Sequence, residues 1–283
     1  MDIPEQWQSI ELDKLEGLVM ILGGPDMGKS TFSQYLYEQF LTKPTKTAFI
    51  DGDPGQSRLG PPTTMTLSFD SRLWRVFVGS TSPVKHMLPM LVGAARLVDS
   101  AKKEGAHTII YDTTGLIDEG QGGVSLKQAK IDLLRPNAVI ALQRGKELET
   151  ILAPFRKRGR IRIIDLKPSL AIQPRNMYMR RRYRRLQFTR YFADSQKMTL
   201  NWHKFAVFPK PFFTTYGLIA LEDQQGFTQA LAIVLEVWPK DHKLTIFSPL
   251  KTLDGIKALR TGDIIVDPMS FEDQKRSNYY SRG

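Results

Sequence analysis

The sequence predicts an α/β protein in which a mainly parallel, doubly wound sheet carries a phosphate-binding loop, followed along the chain by a smaller β-rich region. Three observations predict it. Short apolar runs alternate with segments of helical periodicity from residue 17 to residue 164. A glycine-rich stretch ending in Gly28-Lys29-Ser30 lies between the first apolar run and the first periodic segment. From residue 205 onward the helical periodicity stops, and short apolar runs separated by turn residues take over.

In order, Gly17 to Leu22 reads as the first strand, and Phe32, Leu36 and Phe40 recur at helical spacing after it. Thr47 to Ile50 and Trp74 to Val78 read as strands, and Met87 to Lys103 as a helix with Leu88, Leu91, Ala95 and Val98 on one side. His107 to Tyr111 is a further strand, then a helix is expected from Leu126 to Leu134 and a strand from Ala138 to Leu142. A helix near Leu148 to Lys157 and the strand Ile161 to Ile164 complete the alternation. Phe205–Phe208, Tyr216–Leu221, Ala230–Val237, Leu244–Phe247 and Gly262–Val266 supply the strands of the second region. The expected division is residues 1–204, including an arginine-rich lid at about 170–192, and residues 205–283, with a polar, frayed tail from Asp273.

The 283 residues suffice for one large core and a small appended domain. No apolar run is long enough to span a membrane, and residues 1–16 lack the order of a secretory signal. With no cysteine there are neither disulfides nor thiolate metal sites, and the four scattered histidines do not form a zinc site. A cytoplasmic location is expected. Charge is unevenly spread: from Arg144 to Arg190, 15 Lys and Arg stand against three acids, whereas the whole chain carries +11. A field concentrated in one segment is the footprint of a polyanion-binding surface.

Gly23-x4-Gly28-Lys29-Ser30 is a complete phosphate-loop pattern. Gly23, Gly24, Asp26, Met27 and Gly28 supply backbone N–H groups around phosphate oxygens. Lys29 reaches the β and γ phosphates, Ser30 holds Mg²⁺, and Ser30 and Thr31 open the helix whose N-terminus adds its own field. Asp51-Gly-Asp53-Pro-Gly-Gln56 follows the second strand, so one acid can face a metal and the other an acceptor hydroxyl. Asp112 ends a later strand and is a further metal acid; Thr113, Thr114 and the Gly115 amide can hold phosphate oxygens. Asp-x-x-Gly is also the γ-phosphate sensor of GTP hydrolases, but no Asn-Lys-x-Asp guanine-reading segment occurs, which favours ATP. Finally, Arg180-Arg-Arg-Tyr-Arg-Arg185 on a helix would align Arg180 with Arg184 and Arg181 with Arg185. One pair can neutralise a moving phosphoryl group while its neighbours bind an acceptor's backbone.

Taken together, Gly23–Thr31, Asp51–Gln56, Thr113-Thr114-Gly115 and the arginines running into Tyr191-Phe192 resemble the polynucleotide 5'-hydroxyl kinase family, over most of residues 17–270. The resemblance implies transfer of the ATP γ-phosphate to the 5'-OH of RNA or DNA with Mg²⁺. It assigns phosphate and metal to Lys29 and Ser30, activation of the hydroxyl to Asp53 with Gln56 beside it, and a phosphate contact to the clasp residue Thr113. It assigns stabilisation of the transferring group to Arg180 or Arg184. Leu116 stands where the family often has tryptophan, and the short segment before the first strand suggests a minimal member. A nucleic-acid-stimulated ATPase, a small-molecule kinase and a non-enzymatic assembly subunit are the competing readings; protein partners are not specified.

Overall fold

The computed structural model describes residues 3–276. A short helix α1 (Glu5–Gln8) leads to β1 (Gly17–Gly23) and α2 (Lys29–Leu41). Then follow β2 (Thr47–Gly52), β3 (Thr64–Phe69), β4 (Arg72–Phe77), α3 (Met87–Lys103), β5 (Thr108–Thr113), α4 (Gly123–Leu134), β6 (Ala138–Leu142), α5 (Glu149–Arg158) and β7 (Arg162–Leu166). These strands form one seven-stranded sheet in the order β4-β3-β2-β5-β1-β6-β7. From β2 to β7 every neighbouring pair is parallel. Its central strands are buried along their whole length, which is why they read as continuous apolar runs rather than alternating ones.

The first sheet departs from expectation at its edge. Thr64–Phe69 pairs antiparallel with β2, a strand the sequence did not announce. Asp70 and Ser71, both left-handed (φ 46° and 64°), turn the chain into β4. That two-residue turn geometry joins hairpin strands, but it usually carries Asn-Gly or Asp-Gly, so Asp-Ser gave little signal. On α3 the buried stripe is Met90, Ala94, Leu97, Val98 and Ala101, whereas Leu88 is exposed. The longer small-residue stripe decides which face packs.

The remaining elements are α6 (Met177–Tyr191), β8 (Gln196–Asn201), β9 (Ala206–Phe208), β10 (Gly217–Glu222), β11 (Thr228–Trp238), β12 (Lys243–Ser248), β13 (Ala258–Val266) and β14 (Asp273–Lys275). A second sheet runs β14-β13-β10-β11-β12-β8, with β9 parallel on β13. Asp273–Lys275 is thus a paired strand rather than a frayed tail; residues 277–283 of that expected tail lie outside the described residues.

By internal contacts the chain forms two compact units: residues 1–53, 65–74 and 83–175, and residues 54–64, 75–82 and 176–283. This differs from a single cut after residue 204. Within the second unit Phe188 of α6 and Phe192, which caps it, share a core with Phe77, Leu218, Leu231 and Ile264, and β8 pairs along its length with β12. Burial of those aromatic rings ties the helix to the β-rich unit, although its sequence precedes it.

Candidate active site

The phosphate loop leaves the carboxyl end of β1, where open α/β sheets place ligands. Gly28 caps α2 in the left-handed region (φ 77°), and Asp26 also has positive φ (53°). A side chain at Gly28 would collide with Ile172, whose Cδ1 lies 2.4 Å from the Cβ position. Lys29 is buried, and its ammonium donates to the Gly24 carbonyl at 2.7 Å, drawing the loop closed. Asp26 accepts the Arg175 backbone N–H at 3.2 Å. Trp7 also packs here: it is buried edge-on against Phe32 at 5.0 Å and donates its indole N–H to the Lys167 carbonyl. Nothing in the polar first residues pointed to that anchor.

Asp51 and Asp112 are register partners on adjacent strands, and both are buried. Burial pushes the Asp112 carboxyl up to about 7, against the Ser30 hydroxyl that hydrogen-bonds it and the nearby Lys29 ammonium; the charges of Asp51 and Asp53 push it further up. Its Oδ1 is buried without a hydrogen-bond partner. A buried, unsatisfied carboxylate oxygen beside the first hydroxyl of the phosphate-loop helix fits a hard divalent cation. Among the described residues no three His, Asp or Glu side chains could hold a metal by themselves. That suits Mg²⁺, which is held by one or two protein oxygens and completes its shell with water and phosphate. Asp53 follows directly, half-buried, with its backbone N–H on Asp51 Oδ1 at 3.4 Å.

The segment after β5 brings a surprise. The Thr113 hydroxyl donates to the Ile21 carbonyl at 2.7 Å and accepts from Lys127 at 2.8 Å. Lys127 also donates to the Thr114 carbonyl at 2.5 Å and approaches the Thr114 hydroxyl at 3.3 Å. Both threonines are buried, so the side chains expected to hold phosphate are engaged by the protein, and Lys127 is fully enclosed. Gly115 lies against the phosphate loop: a Cβ there would stand 3.0 Å from Pro25 Cα and N. Lys130, one helical turn on, donates to the Tyr111 hydroxyl at 2.6 Å, and burial lowers it to about 7. The Tyr111 ring in turn fills the space beside Gly52, where a Cβ would fall 2.2 Å from it. Neither lysine was singled out from the sequence. Their signal was their place on one stripe with Ile131 and Leu134, which a solvent-facing lysine would avoid.

Gln56 and the arginines belong to the second unit. Gln56 donates to its neighbour's carbonyl, Gly55 O, at 2.6 Å. On α6, capped by the Asn176 side chain, Arg180, Tyr183, Arg184, Gln187, Phe188, Tyr191 and Phe192 form one inward stripe. Arg181, Arg182, Arg185 and Arg190 face outward. Arg184 makes a largely buried pair with Asp273, its Nε 2.9 Å from both carboxylate oxygens. Arg185 pairs with Glu272 at 3.3 Å on the surface.

Fold and loop define a P-loop protein. More particularly, the chain belongs to the family described as mRNA cleavage and polyadenylation factor CLP1 P-loop, whose model matches residues 23–194. It is 32% identical over 223 residues to the polyribonucleotide 5'-hydroxyl-kinase of Methanocaldococcus jannaschii, covering 75% of this chain and 60% of that one. It is 33% identical over 215 residues to the enzyme of the same name from Pyrococcus abyssi, covering 71% and 58%. The chain therefore spans about three-fifths of these relatives. Its fold is similar to that in the wild-type Clp1p–Pcf11p complex, with a TM-score of 0.69 at 14% identity over 92% of this chain and 77% of that one.

Proposed function

We propose that the chain is an ATP-dependent polynucleotide 5'-hydroxyl kinase, serving RNA processing or nucleic-acid repair in the cytoplasm. The observation that carries the reading is the convergence, at the carboxyl ends of β1, β2 and β5, of a complete phosphate loop with a buried acid bearing an orphaned oxygen and a second acid beside it. A phosphate loop alone serves any nucleoside triphosphatase; an additional half-buried carboxylate at the exit of β2 supplies what an acceptor hydroxyl needs. Among the described residues no helix is long and apolar enough to cross a membrane.

In this reading Asp53 accepts the proton of the 5'-hydroxyl as its oxygen bonds to the γ-phosphorus, while the bond from that phosphorus to the β,γ-bridging oxygen breaks and ADP leaves. Lys29 and the loop N–H groups stabilise the charge on the phosphates. Mg²⁺, held by Ser30 and Asp112 with Asp51 alongside, would supply further neutralisation of the phosphate oxygens. By the family resemblance, Arg180 or Arg184 stabilises the transferring group, with Gln56 beside Asp53; the neighbouring Arg181 and Arg185, by their helical spacing, bind the acceptor. The surplus of positive charge between residues 144 and 190 matches a polyanionic acceptor.

The test is transfer of labelled γ-phosphate to matched 5'-OH RNA and DNA strands, with a 5'-phosphorylated strand and a free nucleoside as controls. Label on the 5'-OH strands alone supports the reading. Phosphate released only to water makes the chain an ATPase, and label on the free nucleoside makes it a small-molecule kinase.

A further inference from the structure

We propose that Lys127 is a positioning residue that aims the Gly115 N–H at the γ-phosphate. The starting point is the partners that a buried lysine amine requires. Lys127 has three N–H donors and no exposed surface, and its contacts are the Thr113 hydroxyl, the Thr114 carbonyl and the Thr114 hydroxyl. Burial lowers the Lys127 amine well below the ordinary lysine range, and the neighbouring Lys130 and Lys29 lower it further, so such a group persists only where its surroundings fix it. Here all its partners lie in two consecutive residues that directly follow the metal acid Asp112.

The Thr114 carbonyl is the informative partner. Among the described residues the only cis peptide joins Phe208 and Pro209, so the Thr114–Gly115 peptide is trans. In a planar trans peptide the C=O and the following N–H point in opposite directions. With its carbonyl held on Lys127 inside the protein, this peptide turns the Gly115 N–H outward. Gly115 is half-exposed, and among the described residues its N–H bonds to no acceptor. Its bare Cα edge rests on Pro25 of the phosphate loop. The Thr113 hydroxyl, donating to Ile21 in the strand that leads into that loop, ties the residue before that peptide to the sheet. The result is an outward-facing, prealigned donor beside the phosphate loop, suited to an oxygen that gains charge during transfer. Lys127 itself touches no phosphate in this scheme.

The inference rests on the kinase reading only for the identity of the acceptor, so its test separates the donor nucleotide from it. Lys127→Met keeps the length and apolar stem and removes the ammonium. With the fold verified by circular dichroism and thermal melting, Mg²⁺-dependent affinities are measured for ADP and for a non-hydrolysable ATP analogue, alongside kcat and KM for transfer. The expected result is ADP affinity within about threefold of wild type, with the preference for triphosphate over diphosphate reduced by about 10- to 100-fold and kcat reduced similarly. Amide exchange at Gly115 should also accelerate while β5 stays protected. An equal loss for both nucleotides would show a merely structural lysine, and an unchanged preference with unchanged kcat would overturn the proposal. Thr113→Val, which deletes one of the three partners, provides a milder second variant. It should lower the same preference several-fold, and a folded Thr113→Val protein with a wild-type preference also overturns the proposal. If wild type labels no 5'-OH strand, the acceptor assignment falls, while the triphosphate-to-diphosphate ratio still decides the role of Lys127.

Discussion

The two loops that leave β1 and β5 solve one problem in different ways. On the proposed reading each holds main-chain groups in place beside a phosphate, and each recruits a lysine. In the first loop the lysine is local: Lys29 closes back on Gly24, five residues away, and lies at the start of its own helix. In the second it is remote: Lys127 comes from α4, 13 or 14 residues beyond the threonines it grips, and is fully buried. A lysine at the start of a helix beside bound phosphate is placed to meet the substrate's charge directly. In the proposed scheme, a lysine enclosed by threonines acts on the peptide backbone and only through it on the substrate.

Substitutions can break that distinction. Lys29→Ala should produce the largest effect, a fall in kcat/KM of about 10³-fold or more, because a charge that faces the phosphates is removed. Labelled-phosphate transfer measures it, and a loss no greater than that of Lys127→Met would erase the distinction between direct and indirect lysines. Asp53→Asn should lower kcat by about 10²–10³-fold while nucleotide affinity, read by titration, stays near wild type. Normal turnover in that variant removes Asp53 as the proton acceptor. Gly115→Ala forces a Cβ against the Pro25 backbone, which unlike a side-chain tip cannot swing aside. It should cost about 1–3 kcal/mol, seen as a roughly 5- to 150-fold drop in kcat/KM.

Asp112 sharpens the comparison through pH. Burial holds its carboxyl up at about 7, and on the proposed reading the ionised form is the one that accepts a cation. Below that value a proton must leave before Mg²⁺ enters, so Mg²⁺-dependent nucleotide affinity should fall about tenfold between pH 8 and pH 6. Asp112→Asn should remove this component. The same raised value sets a stability trend of definite sign. Between about pH 4 and 7 the native protein holds a proton that the unfolded chain releases, so stability declines as pH rises through that window. The smallest effect follows: at pH 8, without metal, Asp112→Asn should raise the melting temperature by about 2–5 °C.

What was legible in the sequence follows the same local-versus-remote division. The phosphate loop, Asp51 and Asp112 lie at strand exits within a few residues of their own punctuation, and the central strands are continuous apolar runs. The pairing of Arg180 with Arg184 also follows from helical spacing. Other features depended on distant partners. Thr113 looked like a phosphate ligand because nothing nearby showed that Ile21 and Lys127 would claim its hydroxyl. Arg184 carried no sign of Asp273, 89 residues away. The strand Thr64–Phe69 was hidden by an Asp-Ser turn and by needing β2 to pair with. The buried lysines were recoverable in principle, since a cation on an apolar helical stripe demands an explanation.

The interleaving of the two units has a consequence for the protein's birth on the ribosome. Ser57 is buried, and its carbonyl accepts the Tyr183 hydroxyl at 2.8 Å across 126 residues of chain. At a synthesis rate of about 5–20 residues per second, that partner arrives roughly 6–25 s later. For that interval residues 54–64 emerge without the unit they belong to, immediately after the acid Asp53. Slowing translation between residues 64 and 176 prolongs that exposure, and it is there that synonymous codon choice would leave its mark on the yield of native protein.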